Sequence, residues 1–254
     1  MLVAITRDVS PSIQQCELTH VVRAPIDIDV ARVQHRAYER CLADLGCEIH
    51  RLPVAPDLPD SVFVEDAAIV LDELAVITHP GVESRRPETL SVARALVAYR
   101  RLYHIAPPGT VDGGDVLRVG RTLYVGLSRR TNEAGIAQLR RDVTSYGYVV
   151  KSVPIEQCLH LKSGVTQVGE HTLLVNRSWV DAGAFDGMEL VDVAPSEPMA
   201  ANALLIGGTV IYPKAYTATR KRLEKRGVAV RAVDVSELAK AEGGVTCCSL
   251  VFQA

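Results

Sequence analysis

The chain has 254 residues, of which 48% are hydrophobic, and its 28 Lys and Arg residues nearly balance its 30 Asp and Glu residues. This composition predicts a compact soluble protein with ample material for a core. The balanced charge disfavours nucleic acid as a partner, and no apolar run approaches the roughly 18 residues of a membrane span. We therefore expect a small-molecule partner, no nucleic acid and no membrane.

The N-terminal residues and the cysteines indicate the compartment. Residues 1–7 contain no basic segment followed by an apolar run, so we expect a cytoplasmic protein. In that compartment the six cysteines are expected to be free thiols: Cys16, Cys41, Cys47, Cys158, Cys247 and Cys248. Neither C-x-x-C nor H-E-x-x-H occurs, so structural zinc lacks its usual spacing, although a scattered Cys/His site stays open. No metal and no cofactor is expected.

A repeated phrase runs along the chain. Apolar residues recur at helical spacing from Val30 to Leu45 (Val30, Val33, Ala37, Cys41 and Leu45), which predicts a helix with this stripe buried. Gly46 then reads as a C-cap, and a strand follows. The same order of helix, glycine and strand returns around Gly147 and Gly227. Residues 176–201 show no clear copy of it.

Pairs of apolar runs separated by turn residues alternate with these phrases and predict four hairpins: 67–77, 116–125, 165–175 and 203–212. A unit of hairpin, helix and strand buries its sheet only against neighbours, and about five units of roughly 50 residues fit the chain. The strand at residues 2–6 and the C-terminal run are expected to form one split unit that closes a ring. We predict a single α/β propeller domain spanning residues 1–254.

Loops in equivalent places of the repeat carry charged residues. Two of them are rich in acids, 60–66 and 109–115, and carboxylates that converge on one mouth favour a cationic ligand. Two others place Arg85 and Arg130 just before predicted helices, where guanidinium groups suit a carboxylate. Together they favour an amino acid with a cationic side chain.

Cys247 follows the turn Gly243-Gly244, and we predict that it lies inside a short apolar strand with Cys248 on the opposite face. A cysteine nucleophile requires a base and a residue that orients the base, and His160 and Asp112 are the candidates. We expect Cys247 and His160 at an exposed rim, and therefore inhibition by thiol alkylators and by zinc.

Six segments together resemble the dimethylarginine dimethylaminohydrolase family in order and spacing: 58–66, 81–86, 112–115, 128–132, 159–163 and 246–249. The resemblance covers residues 18–248. It implies the pentein fold, a five-fold pseudosymmetric α/β propeller around a central channel. It also implies hydrolysis of methylated arginines to citrulline and an amine, without a cofactor. A homodimer is an open alternative to a monomer.

The resemblance assigns roles to single residues. Cys247 corresponds to the nucleophile, His160 to the general acid and base, and Asp112 to the acid that orients His160. Asp66, with Glu65 beside it, corresponds to the guanidinium site. The remaining matches concern the amino-acid end of the substrate: Asp60 and the carbonyls of Leu18 and Ala241 for the α-amine, and Arg85 and Arg130 for the carboxylate. Two positions depart from the family pattern. Ala241 stands where a bulkier apolar residue is usual, and Glu242 stands where Asp is usual.

Other functions of the same fold stay open at this point. Arginine deiminases, amidinotransferases and citrulline hydrolases share the fold and a Cys-His-acid set, but the first two are longer, so a citrulline hydrolase of similar size is the main alternative. A non-catalytic binding protein resembling the ribosome anti-association factor is a further alternative. The acidic loops and Cys247 argue against it.

Overall fold

The computed structural model describes residues 1–254 and contains five three-stranded sheets. In each sheet two antiparallel strands are followed by a third strand that lies parallel to the second. The sheets are β15-β1-β2, β3-β4-β5, β6-β7-β8, β9-β10-β11 and β12-β13-β14, with these bounds: β1 (Leu2–Arg7), β2 (Cys47–Leu52), β3 (Ala68–Val70), β4 (Leu74–Ile77), β5 (Arg101–His104), β6 (Val116–Val119), β7 (Thr122–Leu127), β8 (Val149–Pro154), β9 (Val165–Gly169), β10 (Thr172–Val175), β11 (Glu189–Asp192), β12 (Leu204–Ile206), β13 (Thr209–Pro213), β14 (Ala229–Val233) and β15 (Leu250–Gln253).

Helices connect the second and third strands of most sheets. The six α-helices are α1 (Ile28–Asp44), α2 (Glu88–Leu96), α3 (Glu133–Thr144), α4 (Leu161–Gly164), α5 (Thr217–Glu224) and α6 (Ser236–Ala239). The carboxylate of Asp27 caps α1 and the side chain of Asn132 caps α3, each by accepting backbone N–H groups of the first turn. Gly46 follows α1 with a φ of 91°, which is the left-handed conformation that favours glycine after a helix.

The first strands of the five sheets surround a central channel of about 930 Å³. Residues of β3, β6, β9, β12 and β15 line it, and β3 contacts β15 while β9 contacts both β6 and β12. The ring closes where Leu2 to Ile5 of β1 pair with Leu250 to Gln253 of β15. The predicted α/β propeller with five-fold pseudosymmetry is confirmed.

Two details of the predicted repeat differ in the structure. Residues 176–201 do contain a copy of the phrase, but its helix is a single 3₁₀ turn, Ala182–Phe185, followed by Gly187 and β11. The helix α1 is present, yet the prediction of its buried face is wrong, since Val33 is 63% exposed. The buried face carries Ala31, Gln34, His35, Tyr38, Glu39 and Leu42.

Polar partners explain why α1 turns a partly polar face inward. Glu39 accepts hydrogen bonds from Thr6 and Arg51, and Gln34 donates to Ser236. These hydrogen bonds satisfy the buried polar side chains of Glu39 and Gln34.

None of the six α-helices combines the length and the apolar composition that a membrane span requires.

Candidate active site

Short turns stand before β3, β6, β9 and β15 and carry Asp66, Asp112, His160 and Cys247. The 3₁₀ turns Val64–Ala67 and Gly113–Asp115 precede β3 and β6, and α4 precedes β9. Cys247 lies in the corresponding turn before β15, so the prediction that it lies within a strand is wrong. In this turn the N–H of Gly244 donates to Cys247 Sγ at 3.3 Å, and the N–H of Glu65 donates to the Cys247 carbonyl at 3.1 Å.

The imidazole of His160 lies between two carboxylates. Its Nε2 is 3.0 Å from Asp112 Oδ2, and its Nδ1 is 3.8 Å from Asp66 Oδ1. Burial opposes a charged ring, but Asp66, the hydrogen bond with Asp112 and the charge of Asp115 outweigh it and raise the pKa of His160 to about 9. The ring is therefore protonated at neutral pH.

Asp112 and Asp115 hold the histidine in place from behind. Asp112 is fully buried, and its Oδ1 accepts the N–H of Gly81 at 2.9 Å. Asp115 Oδ1 accepts the N–H of Leu161, the residue after His160, at 2.9 Å, and Oδ2 accepts from Ser128 at 2.6 Å. Burial raises the pKa of Asp115 to about 6. Asp112 thus orients the ring by direct contact, and Asp115 does so through the backbone of the next residue.

Asp66 is held by two donors. Arg85 Nη1 lies 2.6 Å from Asp66 Oδ2, and the N–H of Gly114 donates to Oδ1 at 2.8 Å. Although burial favours the neutral acid, His160 and Arg85 lower the pKa of Asp66. This buried carboxylate stays ionised beside the histidine.

The two arginines differ in how far their donors are occupied. Nε and Nη2 of Arg85 donate hydrogen bonds to the Glu88 carboxylate. Nη2 also donates to the carbonyls of Asp60 and Phe63. With Nη1 on Asp66, one N–H of Nη1 is left for a ligand. Arg130 lies 3.7 Å from Asp112 and donates to Thr19 Oγ1 at 3.3 Å.

A cleft with an empty volume of about 310 Å³ lies in front of these groups. That volume is at the lower end of the range for small-molecule sites. The predicted site residues that line it are Asp60, Asp66, Arg85, Arg130, His160, Ala241 and Cys247. Acids and guanidinium groups therefore face one space that ends at a cysteine and a histidine.

The thiol of Cys247 is neutral at physiological pH. Burial, together with the charges of Glu65 and Asp66, raises its pKa to about 12. The neighbouring Cys248 is fully buried, and burial raises its pKa well above the ordinary value. A cation placed beside Cys247 would offset the carboxylates and favour its thiolate.

Ligand atoms of Asp66, Asp112 and His160 lie within 4.8 Å of one another, a spacing that a metal ion tolerates. Their carboxylate oxygens already accept hydrogen bonds, since Asp66 accepts from Arg85 and Asp112 accepts from Gly81. Arg130 adds positive charge 3.7 Å from Asp112. The cluster is therefore better suited to orient the imidazole than to hold a cation of its own.

Comparisons with known proteins show the family to which the chain belongs. A family model described as N,N dimethylarginine dimethylhydrolase, eukaryotic, matches residues 22–252. A dimethylarginine dimethylaminohydrolase of Streptomyces coelicolor is 39% identical over 97% of this chain and 95% of its own length. This chain belongs to the dimethylarginine dimethylaminohydrolase family. The family member of Pseudomonas aeruginosa is 36% identical over 89% of this chain and 90% of its own length.

The fold is shared with a solved member of the dimethylarginine dimethylaminohydrolase family. The structure of a cysteine-to-serine mutant of the P. aeruginosa protein, complexed with citrulline, has a TM-score of 0.93. It is 34% identical in sequence and covers 98% of each chain. The fold of the whole ring is therefore common to both proteins.

Three residues that the family resemblance assigns to the site do not line the cleft. Asp112 lies behind His160, and Leu18 packs partly buried against the core while its neighbour Glu17 lines the cleft. Glu65 faces the central channel, where it lies 2.5 Å from Lys162 Nζ and accepts from Thr246 at 2.7 Å. Its side chain supports the turn that carries Cys247 instead of meeting the cleft.

The prediction of an exposed rim is wrong for the histidine of this family member. His160 is 4% exposed, and Cys247 is only partly exposed. The reason is that α4 and the 3₁₀ turns pack closely around the mouth. A Cβ on Gly114 would lie 2.5 Å from His160 Nδ1, so a glycine is required there.

Sequence reasoning missed several residues that contact the predicted site residues. Asp115 and Gly114 belong to the quoted segment 112–115, and only the three-dimensional contacts show their separate tasks. Lys162 follows His160 by two residues, but its pairing with Glu65 spans 97 positions. Glu88 was predictable in part, since it begins α2 three residues after Arg85, a spacing at which oppositely charged side chains can pair.

Proposed function

We propose that this protein hydrolyses Nω-methylated arginines to citrulline and dimethylamine or methylamine. The observation that carries the proposal is a single cleft that is lined by Asp66, His160 and Cys247 and also by Asp60 and Arg130. A cationic guanidine suits the first group and an α-amino acid suits the second. The names of the S. coelicolor and P. aeruginosa relatives support the same reaction.

Charges in the cleft support an order of events. Because the free thiol has a pKa of about 12, a guanidinium beside Asp66 is needed to favour the Cys247 thiolate, whose proton passes to solvent. The thiolate then attacks the guanidinium carbon. Protonated His160 donates its proton to the nitrogen that departs as the amine, which leaves a thiouronium group on Cys247.

Water completes the reaction in the proposed scheme. Neutral His160 takes a proton from a water molecule, and the resulting hydroxide adds to the same carbon. The carbon–sulfur bond then breaks and Cys247 leaves as the thiolate. The carbon–oxygen double bond of citrulline forms as the hydroxyl proton passes to solvent. Asp112 stabilises the imidazolium in both half-reactions through its contact at 3.0 Å.

At the amino-acid end, we assign the substrate carboxylate to Arg130, with the remaining N–H of Arg85 beside it. The α-amine is assigned to Asp60 and to the carbonyls of Leu18 and Ala241. Burial raises the pKa of Asp60, while Arg85 opposes that shift. A bound ammonium would favour its ionised form.

We further propose that residues 1–254 form one domain, which is supported by the pairing of β1 with β15. The cytoplasmic location and the homodimer stay predictions, and sedimentation of the purified protein tests the second.

The test is a product assay on asymmetric dimethylarginine, monomethylarginine, arginine and citrulline under identical conditions. We expect citrulline and the matching methylated amine from the first two substrates. Release of ammonia and ornithine from citrulline, without dimethylamine from asymmetric dimethylarginine, would instead assign a citrulline hydrolase. Ammonia and citrulline from arginine alone would assign a deiminase.

A further inference from the structure

Residues 17–21, here called the strap, cross one side of the cleft without regular structure. Glu17 lines the cleft, and its N–H donates to Asp60 Oδ2 at 3.1 Å. Thr19 Oγ1 accepts from Arg130 at 3.3 Å. The strap therefore contacts the two charged residues that we assign to the amino-acid end of the substrate.

Backbone hydrogen bonding does not hold the strap in place. None of its N–H or C=O groups bonds to another backbone group, and its residues lie outside every helix and strand. A segment of this kind opens at little cost unless side chains fix it. The question is therefore which side chain does so.

One side chain, Glu242, accepts three successive N–H groups of the strap. Its Oε2 accepts from Thr19 at 2.9 Å, and its Oε1 accepts from Val21 at 2.7 Å and from His20. These contacts span more than 220 positions of the sequence.

Hydrogen bonds to a carboxylate are stronger than those between neutral groups. Of the four strap N–H groups that donate to a carboxylate, three donate to Glu242 and one donates to Asp60, while Ser84 also donates to the Glu17 side chain. Glu242 therefore makes the largest share of these attachments.

The backbone of Glu242 is unusual for a residue with a side chain. Its φ is 58°, in the left-handed region that favours glycine. The conformation is fixed by the bonds from Glu242 N to Ala239 O at 3.1 Å and from Gly243 N to Leu238 O at 3.0 Å. A side chain that persists at such a position is commonly needed there, and here it points to the strap.

Glu242 also forms part of the boundary between two cavities. It lines the cleft and, with Gly243 and Cys247, an outer groove of about 970 Å³. His20 and Val21 of the strap line the groove as well. Release of the strap would therefore open the amino-acid end of the cleft toward the groove.

We propose that Glu242 is a positioning residue that latches the strap over the cleft. Its side chain fixes the segment that contains the Leu18 carbonyl, while its backbone directly follows the Ala241 carbonyl. A single residue thereby sets both carbonyls that we assign to the α-amine. The substrate contact rests on the proposed function, but the latch itself does not.

Hydrogen exchange tests the latch without any substrate. Glu242→Gly removes the carboxylate and tolerates the positive φ, so the fold is retained, and Glu242→Gln keeps the shape but removes the charge. We expect the amides of residues 19–21 to exchange at least roughly tenfold faster in the glycine variant, with a smaller increase for glutamine. Unchanged exchange of these amides in Glu242→Gly would overturn the proposal.

Glu237 offers a matched control, because its carboxylate accepts the backbone N–H of Asp27 at 2.8 Å, outside the cleft. We expect Glu237→Gln to leave the exchange of residues 19–21 unchanged. Faster exchange there in both variants would show general loosening of the region and would also count against a specific latch.

Steady-state kinetics test the positioning role. If the strap must be ordered again on binding, KM for the methylated arginine rises by roughly tenfold while kcat changes little, and Glu242→Asp recovers part of the loss. A fall in kcat with unchanged KM would contradict the positioning role. If no methylated arginine is turned over by the wild type, the proposed function fails, whereas the exchange result still decides the latch.

Discussion

Asp112 Oδ2 lies 3.0 Å from His160 Nε2, and both side chains are almost completely buried. The contact leaves Nδ1 of the ring facing Asp66 at 3.8 Å. A histidine between two carboxyl groups holds its proton to higher pH, as its pKa of about 9 indicates. In the proposed reaction this proton is the one delivered to the departing amine.

Replacing Asp112 with Asn should therefore change both rate and pH dependence. We expect kcat to fall by about 10²- to 10⁴-fold, since the amide orients the ring poorly and does not stabilise the imidazolium. Loss of this acid lowers the pKa of His160, so the alkaline limb of the pH–rate profile should move to lower pH. If the alkaline limb of the pH–rate profile did not move, a group other than His160 would control it. Asp112→Glu, which keeps the carboxylate, serves as the control.

Much of the ring was predictable from sequence because its signals are local. Glycines at helix ends and between short apolar runs gave the hairpins and most of the repeat, and β15 pairs with β1 as expected. The buried face of α1 was not predictable, because Glu39 is buried through Arg51 and Thr6, which lie far along the chain.

The site was predictable as a set of residue types but not as contacts. Arg85 is an example, since its position before a helix suggested a carboxylate clamp, whereas Asp66 and Glu88 take most of its donors. Glu65 is another, because its partner Lys162 comes from a different repeat. Such pairings depend on how the repeats pack against each other, and local patterns in the sequence do not predict that packing.

The Cys247 thiol should stay protonated in the free enzyme. With a pKa of about 12, it should contribute no thiolate absorbance between pH 6 and 9. The difference in ultraviolet absorbance between wild type and Cys247→Ser isolates this thiol from the other five. A thiolate step below pH 8 in that difference would contradict the proposed need for a bound cation.

Gly114 lies where any side chain would collide with the histidine. A Cβ there would be 2.5 Å from His160 Nδ1 and 2.8 Å from Asp66 Oδ1. Gly114→Ala should abolish most activity and cost about 1–3 kcal/mol of unfolding free energy, measured by urea denaturation. Gly183→Ala is the control, because its Cβ would approach nothing closer than 3.3 Å. Full activity of Gly114→Ala would disprove the close packing.

Lys162 should be needed for stability because it pairs with buried Glu65 at 2.5 Å. Lys162→Met leaves that carboxylate unpaired, which should cost about 3 kcal/mol or more at pH 8. Burial raises the pKa of Glu65 in the folded state above its pKa in the unfolded state. The unfolded state therefore releases the carboxyl proton at lower pH, and the free energy of unfolding falls as pH rises above the pKa of Glu65 in the unfolded state. The loss should therefore be smaller at pH 5.

A double variant, Glu65→Gln with Lys162→Met, provides the control for this pair. It removes both charges and should recover much of the stability, with little difference between pH 5 and pH 8. Equal stability of Lys162→Met and wild type at pH 8 would show that the pair contributes nothing.

The most direct test quantifies both products from asymmetric dimethylarginine, with wild type and Cys247→Ser compared at equal concentration. We predict citrulline and dimethylamine in a one-to-one ratio from the wild type and neither product from the serine variant, whose circular dichroism and thermal unfolding should match the wild type. Equal turnover by a folded Cys247→Ser protein, or no dimethylamine from the wild type, would contradict hydrolysis through Cys247.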